Sequence, residues 1–240
     1  MHHNRGIERY FSHGRSKMKH ESGANNQQEA TLAERADMQR LAMQLCARLC
    51  HDLSGPIGTL QQTLELIQGG PDDTEALSLA REAARTLIAR LRLLRTAWGP
   101  DTVPLDLPAL RSFAEGLPAE PPVRLDFAGL GEATVFPPAT GRVILNLLLL
   151  ARESLPKGGR IALSGEADDV FIIIEGPRAA WPAGLPLCAA SADTARAACL
   201  DARTLQMPLT TLLAHAAGLR LSVLMSAAPG GAPPLRLSTP

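Results

Sequence analysis

The 240-residue chain balances 24 Lys plus Arg against 24 Asp plus Glu, so no net field draws it to nucleic acid or an anionic membrane, and any partner has to be recognised locally. Hydrophobic residues are 45% of the sequence, enough for one large core or two modest ones. The longest apolar runs, such as Val143 to Ala151, fall short of the ~20 residues that cross a bilayer. Cys46, Cys50, Cys188 and Cys199 lack paired metal-ligand spacing and, with no secretory signal in view, read as reduced thiols of a soluble cytoplasmic protein.

Residues 1–28 scatter His2, His3, His13 and His20 among polar residues with almost no apolar periodicity. They read as a disordered leader, with a weak histidine metal site or a non-native start as alternatives. From Gln28 to Gln68 the pattern turns helical, with Leu45, Leu49, Leu53, Pro56, Leu60, Leu64 and Ile67 on one side at ~100° per residue. Gly69, Gly70 and Pro71 break that helix, and Asp72, Asp73 and Thr74 offer N-cap chemistry for the next. In the second helix, Asp73 to Trp98, the residues Leu77, Ala80, Ala84, Leu87, Leu91, Leu94 and Trp98 alternate spacings of three and four, the seam of a coiled coil. Residues 29–99 are thus predicted to form an antiparallel hairpin. A lone hairpin cannot cover both its apolar faces, so two copies are expected to pair as a four-helix bundle in a homodimer.

Gly99, Pro100 and Pro104 mark a break, and residues 100–240 are expected to form a second domain. Val123 to Phe127, Arg160 to Ser164, Val170 to Glu175 and Leu219 to Met225 read as strands, and Val143 to Ser154 and Met207 to Ala217 as helices. The fold class expected is α+β, with helices over one face of a mixed sheet. A loop through Pro229, Gly230, Gly231, Pro233 and Pro234 precedes a short last strand or a frayed tail.

The chemistry concentrates in Leu45 to Ile57. With Leu49 as the centre of the buried stripe, His51 lies ~200° around the helix and points to solvent. Ala47, Ser54, Gly55 and Gly58 share its face, with Gln44 and Arg48 at the edge and Leu53 and Ile57 near the border, so a second protein can approach the imidazole closely. Gly55, Pro56 and Gly58 are costly inside a helix, ~1 kcal/mol for each Gly and ~3 for Pro relative to Ala. That cost beside an exposed His invites a functional explanation. A neutral imidazole is a good nucleophile near neutral pH and can accept phosphate. Asp52 would polarise the ring or stabilise its developing charge, and Arg48 would neutralise phosphoryl oxygens. On pattern alone, His51 and Asp52 could equally be solvated polar residues on the outside of a bundle. Cys46, Cys50 and His51 point in different directions around the helix and do not converge on one ion, and His215, in an apolar helix, receives no role.

The run His51-Asp52-Leu53-Ser54-Gly55-Pro56-Ile57 resembles the phosphoacceptor box of sensor histidine kinases, in which an acidic residue follows His and Pro stands five positions after it. The wider stretch from Arg48 to Gly58 resembles still more the ChpT-type histidine phosphotransferases, homodimers whose second domain is like a kinase ATPase domain but does not bind ATP. In an active kinase of that superfamily one helix carries Asn-Leu-Leu-x-Asn-Ala. Here Asn146 to Ala151 places Leu150 where the metal-holding Asn belongs, followed by Pro156-Lys157-Gly158-Gly159. Where the kinases have Asp-x-Gly-x-Gly, this chain has Ile174-Glu175-Gly176-Pro177-Arg178, and Arg203 to Met207 has no glycine for a phosphate-wrapping lid. Unpaired polar groups of a nucleotide cost ~1 to 3 kcal/mol each, so a degenerate ATPase-like α/β sandwich without ATP binding is expected.

The resemblance implies a phosphorelay protein that accepts a phosphoryl group on His51 from the receiver domain of a hybrid histidine kinase and passes it to a response regulator. No cofactor of its own is expected, with Mg²⁺ supplied at the partner's receiver site. An ATP-dependent kinase and a non-catalytic dimeric adaptor for receivers are the alternatives.

Overall fold

The computed structural model describes residues 7–67, 73–99, 103–225 and 231–240. Residues 1–6, the expected turn at Gly69 to Pro71, Pro100, and Pro229 with Gly230 lie outside the described residues. Two units divide the chain, Met1–Met43 and Gln44–Pro240.

The first unit holds the beginning of helix α1, Ile7–Glu65. Its helical backbone begins at Ile7, within the stretch expected to be a disordered leader. Leu32, Met38 and Met43 are exposed here. Asp37 and Arg40 pair at 3.3 Å across one helical turn.

In the second unit, the remainder of α1 and α2 (Asp73–Trp98) are the arms of the hairpin. Arg90 of α2 reaches Asp52 of α1 at 3.0 Å, residues about equally far along the chain from the turn, as antiparallel arms require. Leu93, Leu94 and Ala97 at the far end of α2 are buried in the core of the second domain. The hairpin therefore grows out of that core.

The second domain follows in the order β1 (Leu105–Asp106), α3 (Leu107–Ala114), β2 (Val123–Leu130), β3 (Val135–Phe136), α4 (Pro138–Glu153), β4 (Gly159–Glu166) and β5 (Asp169–Glu175). It continues through α5 (Leu185–Ala190), α6 (Ala192–Ala197), α7 (Gln206–Ala216), β6 (Arg220–Val223) and β7 (Leu235–Ser238). The larger sheet has the order β2-β4-β5-β7-β6, parallel between β2 and β4 and antiparallel elsewhere; β1 and β3 form a separate antiparallel ribbon. The α+β layout matches expectation. Five elements, β1, α3, β3, α5 and α6, had no signal, being too short to show a period. The final segment is a paired strand and not a frayed tail, because β7 bonds to β5 on one side and β6 on the other.

Alternation along the strands shows which face is covered. Val170, Ile172 and Ile174 of β5 are buried, and across the ladders they meet Leu237 and Leu235 on one side and Leu163 and Ile161 on the other. The alternate positions stay wetter: Arg236 pairs with Asp169 and stacks over Phe171, and Arg160 bridges Asp126 and Glu175. On the covered side α4 is buried continuously from Val143 to Arg152, as a helix that is apolar all round must be. Its Asn146 has no exposed surface and is satisfied from two neighbouring helices, α2 and α7. Its amide donates to Ala97 O at 2.8 Å, while its Oδ1 accepts from Trp98 at 3.1 Å and Gln206 at 3.0 Å. The turn into β4 needs glycine: Gly158 has φ of 75°, and a Cβ there would lie 2.3 Å from Pro122 O.

Candidate phosphoacceptor site

His51 stands on α1 with its side chain 70% exposed, as the helical pattern predicts. Its Nδ1 lies 3.2 Å from Oδ1 of Asp52, whose own side chain is only 6% exposed. A carboxylate facing Nδ1 favours the proton on that nitrogen and leaves the Nε2 lone pair free. Adjacent residues on a helix diverge by ~100°, so Asp52 can sit in the hairpin interior while His51 stays outside.

Inside the hairpin a pair of arginines holds the Asp52 carboxylate. Arg48 Nε bonds both carboxylate oxygens at 3.0 Å, and Arg90 Nη2 reaches Oδ2 at 3.0 Å while its Nη1 donates to Gly116 O at 3.2 Å. Arg48 continues outward: Nη2 donates to Glu153 at the end of α4, and Nη1 to the carbonyls of Ala202 and Arg203, both at 3.2 Å. Two cations and two anions thus form one neutral cluster, in which every charge has a charged hydrogen-bond partner. Burial lowers Arg90 from the usual guanidinium value. For Arg48 burial pulls the same way, but the attraction of Glu153 and Asp52 outweighs it and the value rises. Burial pushes the Glu153 carboxyl above the ordinary carboxylate range, against the pull of Arg48.

Arg48 therefore differs from its expected place at the edge of the His51 face. It is 8% exposed and ties α1 to α4 and to the loop between α6 and α7, whereas Leu49, the expected centre of the buried stripe, is 36% exposed. The reason is tertiary: an arginine that satisfies two carboxylates and two carbonyls can occupy an interior position that a helical period assigns to an aliphatic residue. Arg90, Glu153 and the loop at Leu200 to Arg203 were not anticipated at the site. Arg90 comes from 38 residues beyond Asp52, and Glu153 and the loop from more than a hundred beyond Arg48, so none of them leaves a local period.

At ~100° per residue, Gln44, Ala47, Gly55 and Gly58 fall within ~40° of His51 around α1, Ser54 at ~60° and Ile57 at ~120°. The structure leaves this face open. A Cβ added to Gly55 or Gly58 would meet nothing within 4 Å, so neither glycine is demanded by internal packing. Ser54 turns its hydroxyl back to Cys50 O at 2.6 Å, presenting little bulk. Gln44 donates to Leu200 O at 3.0 Å, and Ile57 is 49% exposed. Beside His51 lies an open groove of about 590 Å³, walled by Ala47, Arg48 and His51 on one side and by Glu153, Asp201, Ala202 and Arg203 on the other.

The positions that the kinase resemblance assigns to nucleotide contact lie inside the packed domain. Leu150 has no exposed surface and Ile174 is 2% exposed, both part of the apolar core. A Cβ on Gly176 would lie 2.3 Å from Gly158 O, so backbone already occupies that space. Among the described residues no group of His, Cys, Asp and Glu is arranged to hold a metal ion, and no helix is long and apolar enough to cross a membrane.

An outward histidine whose ring is fixed by a buried carboxylate, on a helical hairpin joined to an α/β sandwich, defines a histidine phosphoacceptor protein. Residues 108–229 match the family described as histidine phosphotransferase C-terminal domain. Over 188 residues the chain is 31% identical to protein phosphotransferase ChpT of Brucella abortus (strain 2308), covering 75% of this chain and 87% of that one. It is also similar to a solved structure of a bacterial phosphotransferase, with a TM-score of 0.60 and 28% identity over 82% of this chain and 94% of the other. The chain belongs to the histidine phosphotransferase family, and its role is that of a phosphotransferase in a phosphorelay.

Proposed function

We propose that this phosphotransferase works as a homodimer that takes a phosphoryl group from a receiver aspartate onto His51 and returns it to the aspartate of a response regulator, without ATP. The observation that carries this reading is the ring of His51, exposed over an open groove with Nδ1 against buried Asp52. Nε2 attacks phosphorus, the P–O bond of the aspartyl phosphate breaks, and the receiver's carboxylate leaves with the electron pair. Asp52 stabilises the imidazolium that results. Transfer of this kind depends chiefly on positioning and charge, which a rigid helix supplies. Mg²⁺ belongs to the receiver's own site, and the upstream donor is the receiver domain of a hybrid histidine kinase.

The receiver docks on the face formed by Gln44, Ala47, Ser54, Gly55, Ile57 and Gly58. Dimerisation covers the apolar residues that the hairpin leaves in water, Leu49 and Leu64 of α1 with Leu77, Ile88 and Leu91 of α2, each at least 36% exposed in one chain. Arg48 acts by holding Asp52 and the α6–α7 loop, and the place of action is the cytoplasm. The test is a transfer assay from a radiolabelled phosphorylated receiver, with His51→Ala and ATP-only arms. Acid-labile label on the wild type, only from the receiver, is the expected result. Label from ATP alone would make the chain a kinase, and none from a broad panel of receivers would make it an adaptor.

A further inference from the structure

Phosphorylating His51 brings a dianion to a groove that already holds Glu153 and Asp201, with Asp52 at its edge. A cation is needed there. Arg48, the one predicted for it, has its guanidinium turned into the cluster with Asp52 and Glu153, and Arg90 is spent on Asp52 and Gly116 O. Among the described residues lining the groove, the cation left without a carboxylate is Arg203. Its side chain is exposed, and it sits on the loop between α6 and α7.

That loop is held in place beside α1. Arg48 bonds the carbonyls of Ala202 and Arg203, Gln44 bonds Leu200 O at 3.0 Å, and Asp201 accepts from the backbone N–H of Arg203 at 2.9 Å. Backbone is thus fixed up to the Cα of Arg203 while its side chain stays available, the arrangement of a positioned but unspent charge.

We propose that Arg203 is a catalytic residue, its guanidinium contacting the phosphoryl oxygens during transfer to and from His51. This deepens the phosphotransferase reading and rests on it. A planar guanidinium bonds two phosphoryl oxygens through a rigid parallel fork that an ammonium lacks, so the contact gains geometry as well as charge. The contact strengthens as phosphorus leaves its donor and Nε2 closes on it, so it lowers the barrier in both directions.

The experiment removes the receiver, so that partner recognition is not a variable. The full chain is incubated with phosphoramidate, whose P–N bond breaks to release ammonia as Nε2 forms its bond to phosphorus. Phosphohistidine is followed by ³¹P NMR for wild type, Arg203→Ala, Arg203→Lys and His51→Ala. Arg203→Ala is expected to slow phosphorylation about tenfold, Arg203→Lys to recover part of the loss, and both to keep the wild-type melting temperature because the side chain is exposed. A wild-type phosphorylation rate in Arg203→Ala would overturn the proposal, as would a slowed rate accompanied by lost stability, which would make the residue structural. If Arg203→Ala keeps its phosphoramidate rate but loses receiver binding, Arg203 is a docking residue and the proposal fails while the relay stands. If phosphorylation proceeds equally in His51→Ala, the relay reading itself fails, and with it this inference.

Discussion

The hairpin and the second domain solve the same problem, burying apolar surface, in opposite ways. The second domain closes its own core: Leu145, Leu148, Leu150, Ile161 and Ile172 are at most 1% exposed. The hairpin buries charge within the chain and leaves aliphatic residues outside, with Arg48 and Arg90 at 8% and 7% exposure while Leu64 and Ile88 are both at 51%. A domain that completes its own core is stable at any concentration; in the homodimer proposed above, association would complete the hairpin's apolar face. His51 sits on the element whose aliphatic residues stay in water, next to the element that closes its own core.

The sharpest way to break this contrast is to cut the hairpin's charged cluster. Arg48→Ala leaves Asp52 with one arginine and Glu153 with none, and removing one partner of a buried pair costs ~3–5 kcal/mol. The hairpin and the second domain share one core, so thermal unfolding should show the common transition moved well down. An unshifted transition would contradict the assignment. Leu145→Ala should also lower it, by ~2–5 kcal/mol through a cavity in the closed core, whereas Leu91→Ala in the hairpin should change the monomer's stability little and the mass seen by light scattering more. Gly55→Ala separates folding from function: the helix gains ~1 kcal/mol because a Cβ there meets open space, yet transfer from a receiver should slow. Faster or equal transfer would mean the face is not approached closely.

The smallest effect lies on the outer face of the sheet. Hydrogen bonds from Arg236 hold the Asp169 carboxyl below the usual carboxylate range, so this pair's contribution is present above the unfolded carboxylate pKa and is lost as pH falls through the lowered folded value. The melting temperature of Asp169→Asn should therefore fall below that of wild type at neutral pH and converge with it in acid. Exposure and salt keep this difference slight.

His51 was legible in the sequence because helical geometry needs only local spacing to place a residue outside. Both helices of the hairpin, the break after Trp98 and the long strands were legible for the same reason. The interior of the hairpin was not. Asp52 was expected near the ring, and the structure places it there, but its two arginines arrive from α2 and from one turn earlier in α1, and Glu153 from the end of α4. A period assigns such positions by hydropathy, and a neutral charged cluster in an interior escapes it. Arg48 was accordingly expected to face the phosphoryl group, when four acceptors on three elements claim its guanidinium.

The bracket that Arg48 makes between α1, α4 and the α6–α7 loop has a thermodynamic corollary. In the proposed relay, Arg48 holds the two sides of the opening over His51 together, so a receiver that gives and one that takes would meet the same clearance. The chain would speed transfer to and from any one receiver by the same factor, leaving the direction of flow to how readily each receiver's aspartyl phosphate gives up its phosphoryl group and to how much of each receiver is present.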